Sequence, residues 1–158
     1  MKATVNWNGG MAFTGVANSG FAVPMDADNS VGGSDTGVRP MEMIAMSLAA
    51  CTAMDVISIL QKKRQNLSKF EVSIDAPRSH DHPQVFTSAL ITYIITGSDV
   101  EEAAVLRAIE LSATNYCPVQ AMLEQVFPIA LHYEIYEAGE DGTRRLTHSG
   151  SWQEWTLD

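Results

Sequence analysis

The sequence predicts an α+β fold, in which strands and helices are gathered into runs instead of alternating singly. Three observations carry that expectation. The first part of the chain is a series of short strand-like segments separated by Gly- and Asn-containing turns. A long, nearly uninterrupted apolar helical pattern opens at Pro40. Two strand patterns, two helical patterns and a further strand then follow in that order.

Taken along the chain, Lys2 to Trp7 alternates Ala3, Val5 and Trp7 with polar residues, and Asn8-Gly9-Gly10 supplies a turn. Phe13 to Val16 and Phe21 to Met25 read as further short strands, and Asp26 to Val38 as a polar loop. Pro40 suits a first helical position, where its missing N–H is an orphan in any case. The helix is expected to run to about Arg64, buried because it is apolar almost all round. About 25 residues at 1.5 Å each span roughly 37 Å. That is long for so small a domain, so a partner chain is expected to cover part of it.

Phe70 to Ala76 and Phe86 to Thr96 are the next strands. In the second, Phe86, Ser88, Leu90, Thr92 and Ile94 alternate with Thr87, Ala89, Ile91, Tyr93 and Ile95, so both faces are partly apolar. Ser98-Asp99-Val100-Glu101 has the form of a capping box for a helix reaching about Ala113. Asn115-Tyr116 interrupts it and Pro118 opens another, with Val119, Met122, Leu123 and Val126 expected on one buried face. Ile129 to Tyr136 is a strand. Residues 139–158, with Trp152 and Trp155, form a C-terminal hairpin or an arm, and residues 1–158 read as a single domain.

With 158 residues, 46% hydrophobic and 18% charged, the chain is long enough to bury a core. Ten Lys and Arg against nineteen Asp and Glu give a formal charge of −9, which repels phosphate backbones, so no nucleic acid is expected as partner. No apolar run is read as reaching the roughly 20 residues of a membrane span. The first residues lack the apolar stretch of a signal peptide, so a cytoplasmic, reducing setting is expected. In that setting two cysteines are buried or redox thiols more readily than a structural disulfide.

Cys51 lies mid-helix between Ala49-Ala50 and Thr52-Ala53, small neighbours that leave room for approach to the sulfur. Asp55, four residues on, shares its face. A carboxylate there disfavours a thiolate unless a cation or hydrogen-bond donors offset it. Cys117 immediately precedes Pro118, beside a helix N-cap where orphan N–H groups and the helix dipole favour a lowered thiol pKa. A cysteine on an apolar helix is otherwise a small core hydrophobe, and both readings stay open from the residues alone. His80-Asp81-His82 reads as loop, and His132 and His148 have no ligand spacing. The eight methionines suit adaptable packing, and the chain has no C-x-x-C. No metal or cofactor is expected.

Gly37-Val38-Arg39-Pro40, followed by an apolar helix that reaches Cys51 eleven positions after the proline, resembles the signature of the OsmC/Ohr family. His82-Pro83-Gln84-Val85-Phe86 resembles that family's entry to its long strand. Arg107 to Ser112 followed by Tyr116-Cys117-Pro118-Val119 resembles the segment bearing its second cysteine. The resemblance implies an antiparallel sheet with a long central helix, in an intertwined homodimer with two interfacial sites. It implies thiol-dependent reduction of organic hydroperoxides in an oxidative stress response, with Cys51 the peroxidatic and Cys117 the resolving thiol. The reductant it implies is a dithiol of lipoyl or thioredoxin type. In the peroxidase branches a glutamate follows the helix-opening proline and pairs with an N-terminal arginine. Here that position is Met41, and no arginine precedes Arg39. Glu42 stands one place later, and nine residues of regular helix turn it about 180° from Cys51. Arg39 and Glu42 are therefore the remaining candidates to support the thiols, with Glu42 serving the other subunit's site or capping the helix. The arrangement resembles an OsmC-like branch, and the alternative for this chain is a non-enzymatic member that binds a small apolar or thiol ligand at the dimer interface.

Overall fold

Alternation of apolar and polar side chains sets the sheets, and spacing of apolar side chains by four sets the long helix. The computed structural model describes residues 1–139 and 141–152, so Trp155 lies outside the described residues. The described chain divides into two compact units, Met1–Met46 and Ser47 onward. Helix and strand are mixed as the α+β expectation requires.

The first unit holds an antiparallel meander of β1 (Ala3–Gly9), β2 (Ala12–Ala17) and β3 (Ala22–Met25). Gly9 and Gly10, at φ 104° and 54°, make the β1–β2 turn in a region that side chains rarely enter. The loop after β3 is organised by a buried carboxylate. Asp26 accepts from the backbone N–H groups of Ala27, Ser34 and Thr36 and from the Thr36 hydroxyl, at 2.8 to 3.2 Å. The Thr36 hydroxyl and these amides hold its pKa down at about 2.

Helix α1 spans Pro40–Lys62 and its larger part belongs to the second unit. It ends where Arg64 turns to φ 56° and the N–H groups of Arg64 and Gln65 reach back to Gln61 and Leu60. That is a Schellman ending with a non-glycine residue in the left-handed position. Leu48, Thr52, Val56 and Leu60 are buried on one stripe, whereas Ile44, Met46 and Met54 are exposed, so the helix is not buried all round in a single chain. The expectation that nothing here is long and apolar enough to span a membrane is corrected. α1 has 23 residues and its most apolar 18-residue stretch has a mean hydropathy of 1.9, a length and composition that suffice. The reading missed it because Glu42 and Asp55 interrupt the run.

The second unit's sheet has the order β4 (Asn66–Asp75), β5 (Ala89–Ser98), β6 (Ile129–Ala138), β7 (Arg144–Trp152). β4 and β7 pair antiparallel with their neighbours, and β5 and β6 pair parallel. In the parallel register Ala89, Ile91, Tyr93 and Ile95 lie beside Ile129, Leu131, Tyr133 and Ile135, and all eight are buried. The ambiguity between the two faces of β5 is thereby resolved: the odd-numbered row faces the core, and Leu90 on the other is 37% exposed.

The crossover from β5 to β6 is built of α2 (Glu102–Leu111), a π-helical turn (Ser112–Tyr116) and α3 (Pro118–Leu123). Ala104, Val105, Ala108 and Ile109 of α2 join the same apolar cluster as Leu48, Val56 and Leu60. The Tyr133 hydroxyl donates to Glu102 at 2.6 Å, tying α2 to β6. Two expectations fail here. No side chain caps α2 from Ser98, because Ser98 is still paired to Asn66 in the sheet and the turn falls on Asp99 at φ 54°. Val119 and Leu123 pack on the core, but Met122 and Val126 are 63% and 73% exposed, since α3 stops at Leu123 and its face is one turn wide.

Gly97 sits where β4 bulges, and a Cβ there would lie 2.1 Å from the Asn66 carbonyl oxygen and 2.7 Å from a Val100 methyl. Gly97→Ala is expected to destabilise the protein by more than about 2 kcal/mol, read as a lower denaturant midpoint at unchanged slope.

Candidate functional site

Cys51 projects from the middle of α1 and is half-buried, and Cys117 is buried at 2% exposure. The crossover brings the two thiols near enough for Cys51 to act on the Cys117 thiol, and both are free.

Local sequence explains how Cys117 arrives there. Proline disfavours helical backbone at the residue before it, so the helical path must stop at Cys117, which adopts φ −75°, ψ 101°. The π turn ends in the bond from the Cys117 N–H to the Ser112 carbonyl, 2.9 Å. Cys117 is then the N-cap of α3, with Pro118 at the first helical position. Its sulfur accepts the Gln120 backbone N–H at 3.4 Å.

The N-cap geometry expected from sequence is present, but its electrostatic consequence is overturned. Burial is the largest influence and pushes the Cys117 thiol up to about 12, with the Cys51 thiol adding to the rise. The bonds from Gln120 and Val119 oppose it and are outweighed. Cys117 is a protonated, buried thiol.

Beside the pair runs a chain of buried hydroxyls that sequence reasoning missed. Thr52 Oγ1 lies 2.6 Å from the Tyr93 hydroxyl and 2.9 Å from Ser112 Oγ, and Ser112 Oγ donates to Asp55 Oδ2 at 3.0 Å. Asp55, placed by sequence on the Cys51 face, has a hydrogen-bond donor in Ser112. Burial raises the Tyr93 pKa, with Cys117 and Asp55 as Coulombic neighbours, so the phenol stays protonated. One signal was available. Spacing by four from Leu48 places Thr52 on the buried stripe, and a buried hydroxyl requires a partner. The partners, 41 and 60 residues away, are not marked locally. Gln120 is buried at 3% exposure, and its Oε1 has no hydrogen-bond partner among the described residues.

Arg39 and Glu42 are brought together in the first unit. Arg39 forms ion pairs with Asp28, Asp35 and Glu42, and these acids raise its pKa further. Glu42 Oε2 also accepts the Arg39 backbone N–H at 3.0 Å, so it caps the start of α1. Of the two roles left open for Glu42, the cap is the one seen. Arg39 is committed to three carboxylates.

Residues 32–132 match the sequence family described as OsmC-like protein. This chain belongs to the OsmC-like family. The OsmC-like chain is 41% identical over 138 residues to protein YhfA of Escherichia coli K12, covering 87% of this chain and 100% of YhfA. A hypothetical protein from Aquifex aeolicus VF5 superposes with a TM-score of 0.76 at 25% identity, over 87% of this chain and 97% of that one. An organic hydroperoxide resistance protein, OsmC, from Legionella pneumophila shares the fold at 16% identity and a TM-score of 0.60, over 85% and 94% of the two chains.

A raised pKa means a smaller thiolate fraction at any given pH, and thiolate is the form that alkylates. In native protein at pH 8, iodoacetamide is therefore expected to label Cys51 well before Cys117. With a pKa of about 12, Cys117 labelling should rise roughly ten-fold per pH unit from there. Peptide mass spectrometry after timed quenching reads both sites.

Proposed function

We propose that this OsmC-like protein is a thiol peroxidase that reduces organic hydroperoxides, with Cys51 as the attacking thiol and Cys117 as the resolving one. The observation that carries this reading is the pairing of a half-buried thiol with a buried, protonated one as direct neighbours. The Cys51 thiolate attacks the terminal oxygen of the hydroperoxide and the O–O bond breaks. The alkoxide leaves and takes a proton to become the alcohol, while Cys51 becomes a sulfenic acid. The Cys117 thiol then attacks the Cys51 sulfur, forming a disulfide. Its proton and the sulfenic hydroxyl leave together as water.

Burial suits Cys117 to this second step. A thiol held protonated does not compete for the peroxide, and it brings to the condensation the proton that water needs. A dithiol of lipoyl or thioredoxin type resets the pair by two exchanges, leaving as its own disulfide. The working form in this proposal is a cytoplasmic homodimer, in which a second copy covers the exposed Ile44, Met46 and Met54 of α1. The alternative of a ligand-binding site that the cysteines merely line is disfavoured, because Asp55 is paired and Cys51 is partly open to solvent.

Incubation with cumene hydroperoxide and a dithiol is expected to consume peroxide. Cys51→Ser should abolish turnover. Cys117→Ser should allow one turnover and then accumulate sulfinic acid at Cys51, seen as a gain of two oxygens by intact mass. Unchanged peroxide with both thiols free afterwards would exclude the peroxidase reading.

A further inference from the structure

We propose that Ser112 is the positioning residue of the thiol pair: its two oxygens fix the α1 turn that carries Cys51 against the backbone that carries Cys117, and so set how readily the two sulfurs close to a disulfide. The inference rests on the thiol-pair reading above and adds to it the groups that hold the pair.

Ser112 is used at both ends of the residue. Its side-chain oxygen bonds Thr52, the neighbour of Cys51 in sequence, and Asp55, one helical turn further along the Cys51 face. Its main-chain oxygen accepts the Cys117 N–H. Two bonds from one hydroxyl thus hold the helical turn that follows Cys51, and a third from the same residue holds Cys117. No other residue among those described bonds to both segments in this way.

Proton counting makes the side-chain part directional. Ser112 has one hydroxyl proton and gives it to Asp55, so Thr52 must donate to Ser112. Thr52 has then spent its own proton, so Tyr93 must donate to Thr52. The chain runs Tyr93 to Thr52 to Ser112 to the Asp55 carboxylate, and each oxygen before the last has a fixed partner. Tyr93, Thr52 and Ser112 are all fully buried, so no water replaces a lost partner. Packing alone would be met by alanine and valine at positions 112 and 52. Three buried hydroxyls in an apolar core instead call for directional bonding.

Such bonding matters for disulfide chemistry because its tolerance is narrow. A bridge needs Cβ atoms about 3.5–4.5 Å apart with a defined torsion. A shift of about an ångström between α1 and the π turn takes the sulfurs out of reach of one another.

The test is a glutathione redox titration of the full-length protein, reading the Cys51–Cys117 disulfide by alkylation and mass, with thermal melting of each variant alongside. Ser112→Ala and Thr52→Val are expected to lower the effective concentration of the pair at least about ten-fold, and Thr52→Ser to stay within about three-fold of the parent. After a single peroxide pulse, the first two should also divert Cys51 from disulfide towards sulfinic acid, which lost stability alone would not do. If Ser112→Ala does not fold, the isosteric Thr52→Val decides. Folded variants with the parent's effective concentration overturn the role of Ser112 and leave the thiol pair intact. So does a Thr52→Ser protein as impaired as Thr52→Val, because the methyl group would then be the cause. A parent protein that closes no disulfide at any glutathione ratio overturns the thiol-pair reading as well.

Discussion

Parallel neighbours in a sheet cannot be joined by a tight turn, and β5 and β6 are parallel. The chain must therefore leave β5, cross the sheet and return, and everything placed on that crossover is carried to one face. The register that puts Tyr93 beside Tyr133 aligns two rows of odd-numbered apolar side chains, which supply the surface on which α1 and α2 pack. With both helices on that surface, residues far apart in sequence become neighbours. Thr52 comes within bonding distance of Tyr93 and Ser112, and Cys51 comes near enough to Cys117 to act on its thiol. The thiol pair is a consequence of the parallel pairing.

Within that frame two opposing influences act on Cys117, and their magnitudes decide its character. An N-cap supplies amide dipoles aimed at the sulfur, a favourable but modest contribution that solvent or distance readily weakens. Complete burial removes the hydration of a thiolate, a larger penalty for an ion than one or two N–H···S bonds return. The outcome is a thiol pushed up to about 12 in a position that sequence alone marks as activated. A resolving thiol is better served this way, because it meets its electrophile at contact distance and needs no standing charge to attract it.

Much of the fold was legible in the sequence, and the reasons are local. Period-two alternation in Lys2 to Trp7, the proline opening α1 and the Asn115-Tyr116-Cys117-Pro118 break each act within a few residues, and the strands and helix boundaries they mark are close to those found. The misreadings share the opposite character. Ser98 reads as a helix cap because its neighbours fit one, yet Asn66, far off in sequence, holds it in the sheet. Met122 and Val126 fit a buried periodicity that α3 is too short to use. Cysteine positions were legible as candidates, and so was the place of Asp55 on the Cys51 face. That Ser112 donates to Asp55, and that Tyr93 and Ser112 are the partners of Thr52, depends on the crossover and has no local mark.

The π turn is where these strands of argument meet. An α-helix carried on from Leu111 would have to pass through Cys117 into Pro118, which offers no N–H and crowds the residue before it. Widening the last turn by one residue lets the Cys117 N–H satisfy the Ser112 carbonyl, so that acceptor is not left stranded. It also lets the chain exit with Cys117 in extended backbone, ready to start α3. The same residue that closes the turn has its side chain free to face α1, because a serine's short hydroxyl reaches neighbours without filling the interhelical space. A backbone solution to a proline problem thereby supplies a residue that bonds both cysteine-bearing segments, and the site inherits its precision from the way the helix was made to stop.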